Sequence, residues 1–155
     1  MKVTILGSGT STGVPRIGND WGQCDPHEPR NRRSRVSILL ESQAGQRILI
    51  DTSTDCRAQL LANNVPSVDA VFWTHDHADH CHGIDDLRPF RYGRGGPIPG
   101  YGSTETVRRL RQRFSYVFAG EFGYATIIDI EPLDRLRMCV GFGVGWCQMP
   151  HGPAQ

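Results

Sequence analysis

Ala70-Val71-Phe72-Trp73-Thr74-His75-Asp76-His77-Ala78-Asp79-His80 is the stretch on which the reading of this chain turns. It opens as an apolar run suited to a strand, and then sets His75, His77, Asp79 and His80 side by side. Imidazole and carboxylate are the ligands that zinc, manganese and iron accept. His75 and His77 are two positions apart, so on an extended segment both point to one side and can chelate one ion. Asp79 and His80 are adjacent, so the chain must turn there, and the two can face a second ion beside the first. Two ions roughly 3.5–4 Å apart share a hydroxide and clamp the attacking and leaving oxygens of a hydrolytic displacement. A His-rich surface turn that binds metal adventitiously is the alternative; the length of the signature and its place at a strand end weigh against it. Asp76 lies between the first two histidines and should point away from them.

Outward from this stretch, strands and helices alternate. Residues 2–6 read as a strand followed by a glycine loop. Residues 35–41 and 47–50 read as two more strands joined by a turn at 42–46. Residues 54–63 have helical spacing, with Cys56, Leu60 and Leu61 on one side and Ser53 or Thr54 as N-cap. Residues 69–73 form the strand that delivers the histidines, and 98–101 a short strand. Ser103 then caps a helix to about residue 114, with Glu105 in its first turn, and 125–130 reads as a strand. Such alternation predicts an α/β or mixed class. Residues 140–146 read poorly as a strand because glycine recurs at alternate positions. The glycines Gly7, Gly9 and Gly13 are wrongly spaced for dinucleotide binding, and Val14-Pro15 breaks the helix that motif needs.

With 155 residues the chain suits one domain, residues 1–155. A formal charge of +1 supplies no global field for nucleic acid or membrane, so neither partner is expected. Two arginine runs, Arg30 to Arg35 and Arg108 to Arg113, are read as solvated faces or as help for an anionic substrate. Five scattered cysteines without a C-x-x-C pair point to reduced thiols and a cytoplasmic protein. The apolar stretch at the start is too short for a signal peptide, and nothing approaches membrane-spanning length.

The H-x-H-x-D-H signature after an apolar strand resembles the metallo-β-lactamase superfamily of metallohydrolases. Gly7-Ser8-Gly9-Thr10-Ser11-Thr12-Gly13-Val14-Pro15, Asn31-Arg32-Arg33-Ser34-Arg35, Leu49-Ile50-Asp51-Thr52, His82-Gly83-Ile84-Asp85-Asp86-Leu87-Arg88 and Pro97-Ile98-Pro99-Gly100-Tyr101-Gly102 follow in family order. Together they resemble the branch that contains the phosphoribosyl cyclic phosphodiesterase of phosphonate breakdown. The resemblance implies a four-layer αββα sandwich with metals at one edge between two sheets. It also implies a first metal held by His75, His77 and His151, the last from Met149-Pro150-His151-Gly152, and a second held by Asp79 and His80. Zinc is the expected ion, with manganese as the alternative. A metal-bound hydroxide would attack a small phosphodiester, and Asp79 would orient it or take its proton. For Asp51 two roles stay open: accepting a hydrogen bond from a ligand imidazole, or capping the next helix.

The family's bridging aspartate and last histidine follow the segment of His151, and no Asp or His follows it here. The expectation is therefore a sandwich incomplete at its C-terminus. Two other outcomes remain in view: a metal-binding chain without turnover, and an interaction module whose uncovered sheet pairs with a second polypeptide or another copy of itself.

Overall fold

The structure is a computed structural model that describes residues 1–133. Six strands form one sheet in chain order: β1 (Lys2–Gly7), β2 (Ser37–Glu41), β3 (Arg47–Ile50), β4 (Ala70–Trp73), β5 (Ile98–Gly102) and β6 (Ile128–Pro132). β1–β2 and β2–β3 are antiparallel; β3–β4, β4–β5 and β5–β6 are parallel. Parallel neighbours need a crossover. Here α1 (Cys56–Ala62) crosses from β3 to β4. The pair α2 (Ala78–Cys81) and α3 (Arg88–Arg94) crosses from β4 to β5, and α4 (Thr104–Arg113) with α5 (Ser115–Ala119) from β5 to β6. The expected strand at 47–50 and the turn at 42–46 are as read from the sequence, and Ser103 does cap α4, its Oγ accepting from Thr106 N at 3.1 Å.

Because side chains alternate along a strand, the register sorts the sheet into two faces. The row Leu39, Leu49, Val71, Gly100, Ile130 lies on one of them. It packs with Leu60 of α1, Ile84 and Leu87 of a 3-10 turn, Val107 and Leu110 of α4 and Val117 of α5 in a single core. Fully burying such a side chain contributes about 1.5–3 kcal/mol. Ile5, Ile38, Ile50, Phe72 and Tyr101 make a row on the opposite face. These described residues supply one helical and one sheet layer of the expected αββα arrangement.

Three local expectations need correction. Leu61 is exposed, and Gln59 turns inward in its place. Helix α1 takes Asp55 at its N-cap position rather than Ser53 or Thr54; its N-terminus is instead served from outside, by Asp86 Oδ2, which accepts from Arg57 N at 3.2 Å. The last strand runs Ile128–Pro132, later than the expected 125–130. Among the described residues no helix is long and apolar enough to cross a membrane.

Candidate metal centre

β3 and β4 are parallel neighbours, so the segments leaving their C-terminal ends lie side by side, where open α/β sheets place their ligand crevices. Asp51, Thr52 and Ser53 follow β3 and are all buried. The histidine stretch follows β4. Asp51 stands at φ 61°, in the left-handed region, which Asp tolerates better than most residues. The turn is locked by Asp51 N donating to Phe72 O at 2.7 Å. This geometry swings the Asp51 carboxylate across to the neighbouring segment. There it accepts from Thr74 N at 2.8 Å and Thr74 Oγ1 at 2.7 Å, and lies 2.7 Å from His80 Nδ1. Of the two roles left open for Asp51, its side chain takes the imidazole contact.

The turn required between His77 and His80 is a change from strand to helix. His77 is the N-cap of α2, with extended backbone at φ −68° and ψ 152°. Asp79 and His80 then ride on the short helix. Thr52 holds that helix in place: Thr52 N donates to His80 O at 2.8 Å, and Gly83 N donates to Thr52 O at 3.0 Å. Gly83 has no substitute here, since a Cβ would collide with Ser53 O and the Cys56 side chain. Trp73 Nε1, at the end of β4, donates to Thr52 Oγ1 at 2.9 Å.

These constraints gather the imidazoles. The His75 ring lies 4.6 Å from that of His77 and 4.0 Å from that of His80, centroid to centroid. Asp79 Oδ2 lies 3.3 Å from His80 Nε2, and His75 Nδ1 is 3.0 Å from Thr74 Oγ1. The sequence reading divided these residues into two pairs; His75 in fact stands as close to His80 as to His77. His151 lies outside the described residues. Among the described residues, no three of His, Cys, Asp and Glu are so placed as to enclose an ion. By donor type and anchoring the set nevertheless suits a divalent cation. A carboxylate on one ring nitrogen orients a ligand imidazole and leaves its other nitrogen as the ligating atom, and Asp51 stands in that relation to His80.

Asp76 does point away from the histidines. It is buried, and its carboxylate lies 3.3 Å from Arg113 Nη1 and 3.6 Å from Arg109 Nη1, both on α4. Part of the second arginine run is thus turned inward to the histidine segment. In the first run, Arg35 pairs with Asp55 at 2.9 Å and Arg30 with Glu28 at 2.8 Å. Asp85 pairs with Arg88, and the His82 ring sits edge-on 5.8 Å from Phe114. A cleft of about 430 Å³ between α1 and α3, lined by Arg57, Leu60, Asp86 and Phe90 among others, includes none of the histidine-stretch residues. Cys56 and Cys81 are free and buried. Burial pushes the Cys56 thiol up to about 12 and the Cys81 thiol up to about 11, so neither is a ready nucleophile. The contacts that sequence reading missed, Asp51 to Thr74 and Asp76 to α4, join positions more than twenty residues apart.

The fold has known counterparts. The chain belongs to the β-lactamase superfamily: the family model for the beta-lactamase superfamily domain matches residues 46–154. A crystal structure of a diphosphatase from the PhnP family superposes with a TM-score of 0.71 and 39% identity, over 84% of this chain and 48% of that one. Zinc-bound PqqB from Methylobacterium extorquens, at 23% identity and a TM-score of 0.65, covers 85% of this chain and 46% of its own, and speaks for the fold alone. An octanoyltransferase of Porphyromonas gingivalis is 42% identical over 118 residues, which are 76% of this chain and 24% of that protein. The chain therefore spans about half the length of these solved relatives and about a quarter of that curated one.

Proposed function

We propose that this chain carries the metal-binding half-site of a metal-dependent hydrolase that acts on small phosphodiesters. The observation that carries this reading is the gathering of His75, His77 and His80 at the crevice end of β4, with His80 held by a buried carboxylate. The similarity to a diphosphatase supports phosphorus–oxygen chemistry. His75 and His77 would hold one zinc, or manganese, together with His151; Asp79 and His80 would hold a second. Such ions supply a nucleophile at neutral pH and neutralise charge that develops on phosphoryl oxygens.

The chain's own residues do the positioning. Asp51 fixes the His80 ring and, through Thr74, the start of the histidine segment. Asp79, beside His80 Nε2, orients the attacking water or takes its proton. Acyl transfer, the activity named for the octanoyltransferase, gains no support from Cys56 or Cys81, whose thiols are buried and held protonated.

The test is metal content together with cleavage of bis(p-nitrophenyl) phosphate by the purified chain. Turnover abolished by a chelator and restored by zinc or manganese supports the reading. Metal content unchanged in a His75→Ala/His77→Ala double variant overturns it. A second reading, an interaction module, is favoured by one observation: on the sheet face that no described helix covers, Val3 and Ile5 are 55% and 68% exposed.

A further inference from the structure

The segment between the two leading histidines is gripped from behind. Asp76 is only 7% exposed, although it sits in a loop. Arg113 Nη1 donates to the Asp76 backbone carbonyl and lies 3.3 Å from the Asp76 carboxylate. Arg109, one helical turn earlier on α4, adds its guanidinium at 3.6 Å from the other carboxylate oxygen. Cys81 Sγ donates to the same Asp76 carbonyl at 3.3 Å. A single peptide thus receives a guanidinium from α4 and a thiol from α2, while His75 and His77 leave it on either side. One guanidinium nitrogen that reaches both the backbone carbonyl and the carboxylate of a single residue, with a thiol on the same carbonyl, restricts the orientation of that peptide.

We propose that Arg113, with Arg109 in support, is a positioning residue for the metal centre: through Asp76 it fixes the backbone between His75 and His77, and so the angle between their imidazoles. The inference deepens the hydrolase reading and rests on it. Two imidazoles on neighbouring extended residues chelate one ion only while the intervening peptide keeps its orientation. Among the described residues Asp76 has no ladder partner to hold that orientation, and α4 supplies it. The charges also match. Asp76 faces the two guanidiniums, and so keeps their positive charge balanced behind a cation site.

The experiment is a cobalt(II) titration of the full chain, read by visible absorption, beside the thermal midpoint of the metal-free protein. Arg113→Gln is expected to weaken cobalt binding by about 10–100-fold, the range found for residues that orient metal ligands, and to alter the ligand-field bands. The metal-free midpoint should move little, since Arg113 is half exposed. Asp76→Asn should act in the same direction. The double variant should be no weaker than the worse single one, because the two residues act as one unit. Arg113→Lys, which keeps the charge on a shorter, more mobile donor, should fall between. Arg111→Gln is the control: Arg111 Nη2 donates to Ile130 O at 2.7 Å and ties the same helix to β6 without touching the histidine segment. Wild-type affinity and spectrum in Arg113→Gln overturn the proposal, as does an equal loss in Arg111→Gln. No cobalt uptake by the wild-type chain sinks the hydrolase reading as well, and this separates the two failures.

Discussion

The two faces of the sheet are built from equally apolar residues and meet different fates. Toward the helices, Leu49, Val71, Ile128 and Ile130 are all but inaccessible. On the opposite face, Val3 and Ile5 are open to solvent, although Ile48 and Ala70 near the middle are buried by their neighbours. The crevice end of β3 and β4 lies between these extremes: Asp51, Thr52 and Ser53 are buried, His75, Asp79 and His80 half-buried and His77 exposed. The difference is one of cover, not of strand chemistry. The apolar row Ile5, Ile38, Ile50, Phe72 and Tyr101 has the composition of a core, yet it is exposed at Ile5 and only half-buried along the rest.

The comparison breaks most visibly at a matched pair of truncations. Leu49→Ala, on the covered face, should destabilise the protein by about 2–5 kcal/mol, because a cavity remains in the core of which Leu49 is part. Ile5→Ala, on the open face, should stay within about 0.5 kcal/mol. Denaturant midpoints of the two variants test this. Equal losses would mean that the open face is covered in solution.

The second effect falls at the crevice end. Asp51→Ala leaves the Thr74 amide and the His80 ring without their acceptor, at a cost of about 1–3 kcal/mol for buried unsatisfied donors. It also removes a residue type that tolerates φ 61°. Asp51→Asn keeps the left-handed backbone and one acceptor oxygen, so most of the stability should remain, while zinc affinity drops about 10–100-fold. Competition with a chromophoric chelator measures the second quantity and thermal unfolding the first. Equal losses of stability in both variants would show that charge, rather than backbone conformation, is what the site needs.

The third effect is smaller in stability and clearer in size. Val3→Lys/Ile5→Lys should change the unfolding free energy by no more than about 0.5 kcal/mol per site and shift the chain toward monomer in sedimentation, since charge on exposed strands blocks sheet association. A wild-type chain already monomeric at micromolar concentration would remove the distinction between the faces.

What could be read in the sequence follows the range of the interactions. The six strands and α4 were legible because their signals are local: alternation for the strands, and Ser103 with Glu105 at the start of the helix. Helix α2 has four residues, too few for any periodicity. Helix α3 contains Pro89 and Gly93, which mask it. Leu60 and Leu61 are adjacent, and at 100° per residue only one can face the sheet. The choice is made by Gln59, whose side-chain nitrogen donates to Ser34 Oγ at 2.9 Å and Arg35 O at 2.7 Å, partners that no local pattern contains. The site divides in the same way. Its histidines lie within six residues of sequence and are visible at once. The hold of Asp51 on His80 and of Arg113 on Asp76 depends on how β3, β4 and α4 come together.

The smallest effect lies on the solvent side of the covering layer, at Glu105 in the first turn of α4. Side-chain hydrogen bonds from Arg108 and then Arg109 hold its carboxyl down to about 2, from an ordinary value of 4.5. A depressed folded-state value means that the charged pair stabilises the protein above about pH 4.5 and loses that contribution as pH falls through about 2. The pair is exposed, so water and salt screen it, and the contribution is slight. The expected outcome is that Glu105→Gln has a slightly lower thermal midpoint than wild type at pH 6 and low salt. That gap should narrow in high salt and close as the acid limb is descended. It closes because the wild-type carboxylate becomes protonated, leaving both proteins with a neutral side chain at position 105. A gap that persists at the acid end would assign the effect to packing rather than charge, and would place Glu105 with the covered residues beneath it.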